Sequence, residues 1–61
     1  MPGTRLLIVD QDEEFREKLS AELSAEAFDV EVAGDRAQAL WIAQRFRPEL
    51  MLIEAFGAGA E

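Results

Sequence analysis

Apolar residues fall along this chain in two patterns, unbroken runs and spaced stripes, and the alternation between them sets out the elements. Leu6-Leu7-Ile8-Val9 is apolar at every position and ends in Asp10-Gln11-Asp12. Such a run, with β-branched Ile8 and Val9, predicts a strand over about 5–9 covered on both faces, as in a parallel sheet. Asp12 is a good N-cap, and Glu13 and Glu14 place negative charge on a first helical turn. Phe15, Leu19 and Leu23 then recur every four residues, predicting a helix over about 13–26 with an inward apolar stripe and an outer Glu14–Lys18 pair.

Phe28-Asp29-Val30-Glu31-Val32 alternates strictly, so a strand over about 28–32 has one buried and one wet face and lies at a sheet edge. Gly34 makes the turn, and Asp35 with Gln38 forms a capping pair that opens a second helix over about 35–46. Ala39, Ile42, Ala43 and Phe46 form its stripe, with Leu40 on the flank. Trp41 falls nearly opposite that stripe, which makes it a candidate contact for another chain. Pro48 ends the helix, and Leu50-Met51-Leu52-Ile53 is a second unbroken apolar run, a strand over about 50–53 with both faces buried, followed by Glu54. The tail, Ala55 to Glu61, reads as loop.

Right-handed crossovers turn this β-α-β-α-β order into an α/β unit with a parallel three-stranded sheet in the order 2-1-3 and one helix on each face. Ligands of such sheets bind beyond the carboxyl ends of the strands, where Asp10, Gln11 and Glu54 should converge.

Composition narrows the chemistry. The 61 residues make at most one small domain, and a chain of this size buries only about 60% of its unfolded surface. There is no cysteine and no histidine, which excludes disulfides, Cys/His zinc sites and histidine acid–base catalysis. A formal charge of −7, with only six Lys and Arg spread along the chain, argues against direct nucleic-acid binding. No apolar run is long enough to span a bilayer and no export signal opens the sequence, so a cytoplasmic location is expected.

Leu7-Ile8-Val9-Asp10, the helix carrying Arg16 and Leu19, the Phe28-Asp29-Val30 step, Ala39-Leu40 and Pro48-Glu49-Leu50-Met51-Leu52-Ile53 together resemble the first half of a response-regulator receiver domain of two-component signalling. The likeness covers nearly all of residues 1–61 and implies a partial receiver-like domain of flavodoxin-like fold. In that family two acids after the first strand hold Mg²⁺, and an aspartate ending the third accepts a phosphoryl group from a histidine kinase. Asp10 matches the first acid, Gln11 stands at the second, Glu54 stands at the phosphoacceptor, and the backbone carbonyl of Phe56 matches the remaining protein ligand. The family's later hydroxyl and lysine residues match no position in this sequence.

Exchanging a carboxylate for the amide of Gln11 removes a charge from the implied Mg²⁺ site and weakens it. Glu54 is one methylene longer than aspartate and fills space that an in-line phosphoryl transfer requires. It is read either as an imitation of a phosphorylated state or as a solvated acid at a strand end. Ala27 stands where the family commonly has glycine, and a left-handed backbone there would cost roughly 1 kcal/mol. The expected function is therefore an atypical signalling module acting through protein contacts, with a histidine kinase or an output protein as partner and no catalysis of its own. A working Mg²⁺-dependent phosphoacceptor is the alternative. Asp10-Gln11-Asp12 also resembles the Asp-x-Asp start of haloacid-dehalogenase-type phosphatases, but Glu14 stands where that family has a hydroxyl or small residue. The outer edge of the third strand lacks a partner within the sequence. This predicts homo-oligomerisation through Leu50 and Leu52, with Trp41 as a further contact, or else a place for the remainder of a longer receiver.

Overall fold

The computed structural model describes residues 3–53. In chain order these form β1 (Arg5–Val9), α1 (Glu13–Ala25), β2 (Asp29–Ala33), α2 (Arg36–Phe46) and β3 (Leu50–Ile53). The strands make one parallel sheet in the order β2-β1-β3, with Leu7 opposite Glu31 on one side and Met51 on the other.

β1 carries the core because it has a strand on each side and a helix over each face. Leu6, Leu7, Ile8 and Val9 are at most 3% exposed. Leu7 and Val9 pack with Ala33 of β2 and with Ala39, Ile42 and Ala43 of α2. The alanines keep that helix close to the sheet. Leu6 and Ile8 point to the other face, where Ile8 shares a groove with Phe15 and Leu19 of α1.

Element ends follow local hydrogen bonding. Asp12 caps α1 by accepting from the Phe15 N–H at 3.2 Å, and Asp35 caps α2 by accepting from the Gln38 N–H at 2.8 Å. The Gln38 side chain reaches back to the Gly34 N–H at 2.7 Å, one residue before the cap. α1 ends in a Schellman motif, with Phe28 N–H bonded to the Leu23 carbonyl at 3.1 Å and Ala27 N–H to that of Ser24 at 3.0 Å. That motif uses the Phe28 donor, so β2 begins at Asp29 rather than Phe28, and Asp29 donates to the Thr4 carbonyl at 2.9 Å. Ala27 carries the left-handed backbone that the motif needs, at φ 74°. Arg47 is left-handed too, at φ 53°, and closes α2 ahead of Pro48.

Three expectations are corrected. No residue of α1 is buried, and Phe15, at the head of its stripe, is 48% exposed while Leu19 and Leu23 are half-buried. β3 is exposed at all four residues, from 44% at Met51 to 58% at Ile53, instead of being covered on both faces. One cause underlies both: α1 and α2 lie over β1 and β2, and neither approaches β3. Third, Glu14 and Lys18 form no ion pair. The one among the described residues joins Arg5 to Glu49 at 4.0 Å, which accords with the small net gain of solvated helix-surface pairs.

Candidate functional site: the acidic rim

At the carboxyl end of β1 the chain turns sharply into α1, and three hydrogen bonds shape the turn. Asp10 N–H continues the ladder to the Ala33 carbonyl of β2 at 3.1 Å. Its side chain folds forward, and Oδ1 accepts from the Asp12 N–H at 2.8 Å, an Asx turn. Its carbonyl accepts from Nη1 of Arg16 at 2.8 Å. Asp10 is consequently held almost out of solvent, at 7% exposure, the one buried charged residue among those described. Gln11 is exposed beside it.

Asp10 and Asp12 border a groove of about 590 Å³ whose remaining wall is apolar: Ile8, Val9, Phe15, Leu19, Leu52 and Ile53. The groove exists because α1 leans toward β2 and leaves the α1-side face of β3 bare. Val9 pairs with Ile53, so β1 and β3 end level at this rim. Glu54 and Phe56, the expected phosphoacceptor position and carbonyl ligand, lie outside the described residues.

Asp10 and Asp12 each commit one carboxylate oxygen to a backbone N–H, and Gln11 adds only a neutral amide. The described residues contain no cluster of three or more His, Cys, Asp or Glu that could hold a metal. The described part of the rim thus offers a cation two carboxylates and one neutral amide, and Mg²⁺ favours hard anionic oxygens.

The expected contact residues do not share a surface. Trp41 is 60% exposed and lines a shallow groove of about 270 Å³ with Glu31, Ile42, Arg45 and Phe46, on the β2 side of the sheet. The Arg45 guanidinium stacks 4.0 Å from its ring centroid. Leu50 and Leu52 sit on the opposite margin, in β3, at 51% and 45% exposure. Two rim residues stand outside the set expected from sequence: Asp12, expected as the cap of α1 and as part of an Asp-x-Asp likeness, and Arg16, expected only as part of the family likeness. The signal for Arg16 is an arginine one helical turn past the cap, with a glycine closing the neighbouring strand.

A parallel sheet in the order 2-1-3, a helix on each face and a buried acid ending the central strand define a receiver-type, flavodoxin-like half domain. Comparison with known proteins takes the assignment further. The chain is 42% identical over 50 residues to the DNA-binding response regulator MtrA of Mycolicibacterium smegmatis, a match covering 82% of this chain and 22% of that protein. It matches the proteins of that name from Mycobacterium leprae and Mycobacterium tuberculosis with the same identity and coverage. No family model and no solved structure matches. The chain has the sequence and fold of a response-regulator receiver domain in its N-terminal part, and it spans about a fifth of the length of the curated relatives it matches, 22%. Among the described residues no helix is long and apolar enough to cross a membrane.

Proposed function

We propose that the chain acts as an atypical receiver-like module of a two-component phosphorelay, working by protein contact, with little or no capacity to accept phosphate and no enzymatic activity of its own. The observation that carries this reading is the pairing at the rim of a buried carboxylate, Asp10, with an exposed neutral amide, Gln11. A receiver that accepts phosphate needs two acids at these positions to hold Mg²⁺ against the charge of the incoming group. Glu54 at the acceptor position adds a second departure in sequence. Mg²⁺ binding at Asp10, Gln11 and the Phe56 carbonyl is accordingly weak or absent.

The test is incubation of the chain with Mg²⁺ and a small phosphoryl donor such as acetyl phosphate, followed by intact mass and a phosphate-retarding gel. The expected result is no gain of a phosphoryl group; stoichiometric phosphorylation would establish a working receiver instead. Restoring both family residues, Gln11→Asp with Glu54→Asp, should raise cation affinity.

In this reading the partners are a histidine kinase or an output protein in the cytoplasm, and a second copy of the chain at β3. Two β3 edges related by a twofold axis would join two three-stranded sheets antiparallel at the seam. Leu50, Met51, Leu52 and Ile53 carry no charge to oppose such pairing. DNA binding belongs to the named relatives. This chain's formal charge of −7, with six Lys and Arg, disfavours such binding here.

A further inference from the structure

We infer that Arg16 is the positioning residue of the acidic rim, and that Gly34 is glycine in order to admit it. Arg16 projects from the first turns of α1 across the carboxyl ends of both β1 and β2. Its Nη1 donates to the Asp10 carbonyl at 2.8 Å. A Cβ built on Gly34 would stand 2.7 Å from that same Nη1 and 3.5 Å from Cζ, so the guanidinium lies against the bare Gly34 backbone. On the far side the Gly34 N–H is fixed by Gln38 of α2. One side chain therefore meets the ends of two strands beside the turn into the second helix.

Arg16 is half-buried here, and its Nε is buried with no acceptor among the described residues. What holds it is a charge-assisted bond to one carbonyl. That carbonyl belongs to the peptide linking Asp10 to Gln11, so fixing it sets the plane of the turn, lets Asp10 Oδ1 reach the Asp12 N–H, and leaves Gln11 facing solvent. The inference rests on reading the rim as the functional site, and it assigns the geometry of that site to Arg16.

The test uses the full 61-residue chain, isotope-labelled, with amide shifts and hydrogen exchange read by NMR. In Arg16→Met and in Gly34→Ala, the Asp12 amide is expected to move upfield and to exchange about tenfold faster, the loss of roughly one hydrogen bond's ordering, while Leu7 and Ile8 keep their protection. Arg16→Lys keeps the charge without the planar fork and should behave like Arg16→Met. The double variant should change Asp12 no further than either single one, because both remove the same bond. An Asp12 amide unaltered in Arg16→Met and Gly34→Ala with the sheet intact overturns the inference, as does an additive response. If Arg16→Met loses the sheet, Arg16→Lys decides: an unaltered Asp12 overturns the inference and a loosened one supports it. Phosphoryl and cation assays play no part in this readout, so the proposed function and the role of Arg16 fail separately.

Discussion

Ala27 shows how much one residue can cost a chain this short. Its φ of 74° is forced by the Schellman motif that turns α1 into β2, and a Cβ in that region is strained where glycine is not. Ala27→Gly should therefore stabilise the fold by about 1 kcal/mol, seen as a melting rise on the order of 4–8 °C for a domain of this size. A drop in thermal or urea stability would show that the loop relaxes around alanine. Gly3 limits the remedies available nearby: a Cβ there would collide with the Ala27 carbonyl oxygen, so that backbone crossing would have to shift to take a side chain at position 3. The strain at Ala27 was legible through the family resemblance, which places glycine at this helix end. The crowding at Gly3 was not, since it depends on two segments far apart in the chain meeting.

Among the elements, β1 and β3 have nearly the same composition and opposite fates. Leu7 is fully buried and Leu50 is 51% exposed, though each lies in a four-residue aliphatic run. Leu7→Ala should cost about 2–5 kcal/mol, enough to unfold so small a chain. Leu50→Ala should cost under about 1 kcal/mol, because water already reaches half the side chain. Denaturant titration of the two variants distinguishes them, and equal losses would mean that β3 is covered in solution. Leu52→Lys tests what covers it: if copies pair along this edge, the substitution should convert a dimer to a monomer in light scattering coupled to size-exclusion chromatography. Order, type and pairing of the elements were legible from run lengths, caps and crossover handedness. The exposure of β3 was not, since an apolar run records how a strand is built to be covered and says nothing of whether the covering layers are present.

For the molecule as a whole, charge is as uneven as burial. Asp12, Glu13, Glu14, Glu17, Glu22 and Glu26 gather on and beside α1, answered there by Arg16 and Lys18, while Arg36, Arg45 and Arg47 lie on or beside α2. With a net charge of −7, moderate salt should raise stability and favour any association of copies, by screening repulsion over distances of about 8–10 Å. A fall in melting temperature between low and physiological salt would contradict this. The bonds around Arg5 have a further consequence. Arg5 N–H donates to Oε1 of Glu49 at 3.0 Å, Arg5 Nε to the Arg47 carbonyl at 2.9 Å, and Glu49 N–H to the Arg5 carbonyl at 2.8 Å. With no helix resting on β3, these contacts at its start do the work that interlocking side chains do elsewhere: they act as a detent that stops the strand from sliding. Without them, a slide of two residues, about 6–7 Å, would keep every side chain on its own face and the ladder nearly whole. The alignment of Ile53 with Val9 is thus set at the opposite end of the sheet, by an arginine and a glutamate that never approach the rim.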